Sequence, residues 1–150
     1  MKLEFMQEAI KVAKKSDKDI PIGAIIVKNG EIISRAVNRR EKRQNATYHA
    51  EILAIKKASK QLRNWRLDDC EIYVTVEPCP MCASAILQAR IKKIYFGAYD
   101  VMYGACGSKC DMRKIMNYDA DIKGGILEEE CSTLIKDYFE AIRNAKKQVR

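Results

Sequence analysis

The chain has 150 residues, 47% of them hydrophobic and 32% charged, which is the composition and size of one globular domain over residues 1–150. No apolar run approaches the roughly 18 residues of a membrane span, and Glu4 and Glu8 interrupt the N-terminal segment where a secretory or transit sequence would be uninterrupted, so a cytoplasmic protein without membrane segments is expected. The net charge of +8 favours a polyanionic partner such as nucleic acid. The six cysteines of a cytoplasmic chain read as metal ligands, nucleophiles or buried thiols before they read as disulfides.

In chain order, Leu3, Met6, Ala9, Ile10 and Ala13 recur at helical spacing and predict an amphipathic helix over residues 2–15. The β-branched runs Pro21–Val27 and Glu31–Val37 follow, joined through Lys28-Asn29-Gly30; Asn-Gly between two such runs predicts a hairpin. The polar, basic segment Arg39–Tyr48 leads into a helix expected from about His49 to Ser59. Cys70–Val76 reads as a buried strand, stopped by Glu77-Pro78 and followed by a helix from about Pro80 to Gln88. Lys92–Ala98 reads as another strand, and Tyr99–Ser108 as a loop rich in tyrosine and glycine. A short helix near Ser108–Met116, a strand around Ala120–Ile126 and a last helix from about Glu128 to Lys147 complete the chain. This order describes an α/β protein, a mixed sheet covered by helices on both faces, with ligands expected where strands end and helices begin.

Two motifs sit at such helix starts. His49, the only histidine, stands two residues before Glu51; Cys79-Pro80-Met81-Cys82 opens the next helix. One imidazole and two thiolates make three ligands of a zinc tetrahedron, and a catalytic zinc keeps its fourth position for water. A carboxylate beside that water is placed to move its proton, which is the task expected of Glu51. Positions 49 and 51 do not share a face of an ideal helix, so their convergence requires a site that wraps around the first turn. Three other readings of these residues compete: a structural zinc site with a fourth ligand from Cys70, Cys106, Cys110 or Cys131, a redox Cys-x-x-Cys pair, and cysteines that simply pack.

His-x-Glu followed by Pro-Cys-x-x-Cys resembles the signature of the zinc-dependent cytidine/deoxycytidylate deaminase superfamily. Within it, "PIGAIIV", "HAEI", "NWRLDDCEIYVTVEPCPMCASAIL", "RIKKIYFGAYD" and "GGILEEECSTLIKDYF" look, in order, like segments of the bacterial tRNA-specific adenosine deaminase family. The resemblance implies a three-layer α/β/α fold with a central mixed five-stranded sheet. It implies hydrolytic deamination of the wobble adenosine of a tRNA anticodon stem-loop to inosine by a homodimer with one zinc ion per subunit. Carried over by position, His49, Cys79 and Cys82 hold zinc and Glu51 shuttles the proton. Asn38 would bond the flipped base, Asp100 would lie in the substrate loop, and Tyr138, Phe139 and Arg143 would lie where the last helix approaches RNA. The basic segments Arg39–Arg43 and Arg143–Arg150 would follow phosphates.

The chain departs from the family pattern at Asn45-Ala46-Thr47-Tyr48, where the family usually has Asp-Pro-Thr-Ala, and Tyr48 is expected to reshape the pocket or its flank. Tyr99, Met102, Tyr103 and Tyr118 are further departures, the first three around the substrate loop. The remaining cysteines are expected to be buried or half-buried thiols. Two rival functions remain: deamination of a free base such as guanine or cytosine, and a non-catalytic RNA-binding zinc module, which would have no use for Glu51.

Overall fold

The structure, a computed structural model, describes residues 1–148; Val149 and Arg150 of the basic C-terminal segment lie outside the described residues. Five strands, β1 (Gly23–Lys28), β2 (Glu31–Val37), β3 (Cys70–Val76), β4 (Lys93–Ala98) and β5 (Asp121–Lys123), form one sheet in the order β2-β1-β3-β4-β5. β1 runs antiparallel to both β2 and β3, while β3, β4 and β5 run parallel. The hairpin is closed by Asn29 (φ 51°) and Gly30 (φ 78°), the left-handed pair that a two-residue turn between twisted strands requires.

Side chains alternate across this sheet as period-2 patterning dictates. Ala24, Ile26, Ile72, Val74, Ile94 and Phe96 face one way, against α2 (Ala50–Leu62), α3 (Pro80–Gln88) and α4 (Met112–Met116). Ile25, Val27, Tyr73 and Tyr95 face the other way, against α1 (Leu3–Ala13) and α5 (Glu128–Gln148). The expected α/β/α sandwich is therefore present. Among the described residues, no helix is long and apolar enough to cross a membrane.

Element boundaries moved where local hydrogen bonds found better partners. Leu3 is 53% exposed, and Phe5 occupies the core in its place. The helix expected to begin at Ser108 begins at Met112, because Gly107 N–H bonds Cys110 O and Cys106 bridges to Asp111, holding the segment in a turn. Asp111 caps α4 instead, its carboxylate accepting from Arg113 N–H. The last strand shrinks to Asp121–Lys123, since Gly124 follows it and Gly125 turns left-handed at φ 78°. The second helix begins at Ala50 rather than His49, a shift of one residue with chemical consequences.

β2, β3 and β4 all end at the same rim of the sheet. From that rim emerge the basic Arg39–Tyr48 segment, the start of α3 and the Tyr99–Cys110 loop, with the start of α2 alongside.

Candidate active site

His49 and Cys79 are the N-cap residues of α2 and α3, with extended backbones (φ −72°, ψ 155° and φ −73°, ψ 173°). An N-cap side chain is not bound to the helical register. His49 therefore swings towards α3 while Glu51, in the first turn of α2, projects to the same place. The difficulty that positions 49 and 51 pose on an ideal helix does not arise, because only one of them is on the helix. Pro80 at the first helical position suits the start of α3, where no N–H is needed.

His49 Nδ1 lies 3.7 Å from Cys79 Sγ and 3.5 Å from Cys82 Sγ. Tetrahedral zinc with ordinary Zn–N and Zn–S bonds separates such donors by about 3.6 Å, so the donor set fits zinc. Among the described residues no other Cys, His, Asp or Glu joins this group. Cys70, Cys106 and Cys131 are buried thiols and Cys110 a half-buried one, which removes the four-ligand structural site. Three ligands on one side of a cavity leave the fourth direction to water or substrate.

The electrostatics suit a divalent cation. Hydrogen bonding from Cys82 and then from His49, against the cost of burial, holds the Cys79 thiol down at about 4. Its bond to Cys79, and then burial, push the Cys82 thiol upward. The hydrogen bond to Cys79 raises the imidazole of His49 more than burial lowers it. Protons thus hold these donors together where a metal would bind, and metal uptake must release them.

Glu51 is 4% exposed. Burial, more than any neighbour, pushes its carboxyl up to about 7, and its own backbone N–H is the strongest opposing influence. A carboxyl in that range can both accept and return a proton near neutrality.

Together these groups open onto a cavity of about 470 Å³ whose wall includes Ile22, Asn38, Arg40, Val76, Asp100 and Tyr103. Asn38 is buried, donating from Nδ2 to Ile20 O (3.3 Å) and accepting at Oδ1 from Arg40 N–H (3.2 Å); a carboxamide has four bonding sites, so one N–H and one lone pair remain. Asp100 Oδ1 accepts from the N–H groups of Met102 and Tyr103, turning the loop so that Tyr103 overhangs the cavity. Tyr138 and Phe139 line an adjoining cavity that shares Ile20 and Arg40 with the first, and the Tyr138 hydroxyl donates to Lys18 O (3.1 Å). Arg143 is exposed further along α5 and lines neither cavity. Tyr48 does not enter the catalytic cavity; its ring faces the opposite side of its loop, 5.8 Å from Lys56 Nζ. Tyr99 packs edge-on against Phe96 at 5.1 Å.

Sequence reasoning missed two buried carboxylates. Glu77, read only as part of a strand stop, is 3% exposed. Its Oε1 accepts from Asp100 N–H and the Ser108 hydroxyl, and its Oε2 from Cys106 N–H and Ser108 N–H. It thus ties both ends of the Tyr99–Cys110 loop to the end of β3. Gly104 makes this possible: a Cβ there would sit 2.4 Å from Glu77 Cδ and 2.4 Å from Asp100 O. Asp19, also 3% exposed, accepts from Glu41 N–H (2.6 Å) and Lys42 N–H (3.1 Å) and holds the basic segment in place. An acidic residue ending an apolar strand beside a glycine-containing loop was the available signal for Glu77; Asp19 had none.

The family model of the cytidine and deoxycytidylate deaminase zinc-binding region matches residues 1–98. The chain belongs to this deaminase family. Within the family, the chain is 45% identical over 150 residues to a tRNA-specific adenosine deaminase of Bacillus subtilis, covering 97% of this chain and 93% of that relative. Among solved structures, a deaminase studied for A-to-I editing by tRNA:A34 deaminases at the wobble position superposes with a TM-score of 0.82 at 35% identity, over 89% of this chain and 99% of its own. A guanine deaminase of Bacillus subtilis superposes with a TM-score of 0.62 at 42% identity, over 66% of each chain. Zinc is the cofactor of this deaminase family, and the geometry of His49, Cys79 and Cys82 suits it.

Proposed function

We propose that this protein hydrolytically deaminates the wobble adenosine of a tRNA anticodon to inosine in the cytoplasm, consuming water and releasing ammonia. The observation that carries the reading is the extent of its likeness to tRNA-specific adenosine deaminases. That likeness runs past residue 98, where the family match ends, through the substrate loop and α5, whose Tyr138 and Phe139 line the cavity beside the catalytic one. The +8 charge suits the same substrate.

In this reading His49, Cys79 and Cys82 would hold zinc, which would supply Lewis acidity to the reacting water. Glu51 moves one proton of the attacking water to the ring nitrogen next to the reacting carbon, and then carries that water's second proton to the amine, which departs as ammonia. Asn38 directs its remaining N–H and lone pair at the base edge. Ile22 and Val76 exclude water around the ring, and Tyr103 and Asp100 close the mouth. Tyr138, Phe139 and Arg143 contact the nucleotides flanking the target. The protein acts as a homodimer, a reading supported by the exposed apolar side chains of Val101, Met102 and Tyr103 beside the mouth, which a neighbouring subunit would cover.

Free guanine is the second reading, favoured by the partial likeness to the guanine deaminase. Inosine formation on an anticodon stem-loop, run beside free adenine, guanine and cytosine, tests both. Inosine in the stem-loop alone is the expected result. Turnover of a free base alone would transfer the same chemistry to the second reading.

A further inference from the structure

Away from the catalytic cavity, the Arg39–Tyr48 segment walls a separate groove of about 730 Å³. The groove lies along the outer edge of the sheet, floored by Arg35–Val37 of β2 and flanked by the end of α1 and the outer face of α2. Five of its lining residues, Lys15, Arg35, Arg39, Arg43 and Lys57, are cationic, and the ring of Tyr48 lies among them. Arg35 is neutralised by Glu8 at 3.0 Å. Among the described residues the other four form no ion pair, and no carboxylate lines the groove. Four uncompensated cations and an aromatic ring in one concavity form the pattern that tracks a nucleic-acid backbone.

The groove also adjoins the active site across a single stretch of chain. Arg39 lines the groove and Arg40 the catalytic cavity; Tyr48 lines the groove and His49 the site. The two ends of the segment are tied, Arg39 N–H donating to Tyr48 O at 3.0 Å, so one thin wall separates the two spaces. From Asn38 at the catalytic rim to Arg35 in the groove floor is three strand residues, roughly 10 Å. Asp19 anchors the wall through the N–H groups of Glu41 and Lys42, which keeps the cations in place before any ligand arrives.

We propose that this groove along β2 is a second RNA contact surface, holding phosphates of the substrate strand after it leaves the catalytic cavity over the Arg39–Arg40 wall. The proposal rests on the RNA-deaminating reading and names where the rest of that RNA lies.

The test is binding of a labelled anticodon stem-loop across a salt series, measured without turnover, for the zinc-loaded wild type and the triple variant Lys15→Gln, Arg43→Gln, Lys57→Gln. A control variant, Lys93→Gln, Lys114→Gln, Lys123→Gln, removes the same charge from exposed positions elsewhere. If three phosphates are neutralised in the groove, the groove variant's log–log salt slope is shallower by about 2 and its affinity at 0.1 M salt lower by about 100-fold, with the control near wild type. Equal losses in both variants would mean diffuse attraction and overturn the proposal, as would no loss in either. A change of sedimenting mass in the groove variant without loss of RNA affinity would also overturn it, assigning the groove to an interface between copies. Thermal melting and zinc content of each variant show whether it is folded and loaded. Because binding is read separately from inosine formation, wild type that binds through the groove but makes no inosine would sink the wobble-deaminase reading and leave the groove standing.

Discussion

Replacing Glu77 separates the ordering of the Tyr99–Cys110 loop from the chemistry beneath it. An amide in Glu77→Gln has one accepting oxygen, where the carboxylate serves four donors. At the Oε2 side two backbone N–H groups, of Cys106 and Ser108, both approach to 3.1 Å and can only donate. At the Oε1 side the Ser108 hydroxyl can rotate to accept, but Asp100 N–H at 3.2 Å cannot. The amide therefore turns its oxygen to Cys106 and Ser108, and Asp100 N–H alone loses its acceptor. A lost acceptor for a half-buried donor costs about 1–3 kcal/mol, and the surviving bonds lose their charge assistance. The ordered loop should be less stable by about 2–3 kcal/mol, on the order of 30- to 150-fold in its population. Glu77→Ala removes every acceptor and should cost more. Measured as kcat/KM for inosine formation, Gln should lose about 10- to 100-fold and Ala more, with zinc content unchanged. Amide exchange of residues 100–108 should accelerate in the same order. An alanine variant within twofold of wild type, with unaltered exchange, would refute the assignment of loop order to Glu77.

Glu51→Gln should retain zinc and RNA binding while turnover disappears; turnover near wild type would remove Glu51 from the proton path. A chelator should abolish activity and zinc restore it. Metal affinity should weaken on acidification, because protons return to Cys79, Cys82 and His49, and a pH-independent affinity measured by competition with a chromophoric chelator would contradict that donor set. Gly104→Ala should reproduce the loop phenotype of the Glu77 variants, since its Cβ meets backbone as well as the Glu77 carboxylate; wild-type exchange in the loop would show that the loop tolerates the methyl group. Asp111→Ala should destabilise the fold by about 1 kcal/mol through loss of the α4 cap. The Asp111 carboxyl is held below its ordinary value chiefly by its bond from Arg113. Its contribution is therefore full above the unfolded carboxyl value and lost as pH falls through the folded one, so the wild-type advantage in chemical unfolding should shrink in acid. A difference independent of pH would disprove that linkage.

Much of the architecture was legible because its causes are local. Asn29-Gly30 can close a two-residue turn wherever it occurs, and the β-branched run Pro21–Val27 needs no partner to be read as a strand. The zinc donors were legible for a related reason: ligand chemistry restricts the site to few residue types, and the chain has one histidine and one Cys-x-x-C. Boundaries were less secure at α4 and β5, where the Cys106–Asp111 bridge and Gly125 acted through contacts or torsions that residue types alone do not register.

The sequence by itself determined which atoms can bind a metal and move a proton, and that the protein carries surplus positive charge. Tertiary structure decided where those properties act. It released His49 from the helix so that imidazole and carboxylate converge, and it brought Glu77 against a loop 23 to 31 residues away. It also sent Arg39 and Arg40, neighbours in the chain, into different cavities. Chemical identity belongs to single residues and survives in a linear string. Convergence, burial and the division of charge between surfaces depend on which distant segments share space, and that exists only once the sheet is assembled.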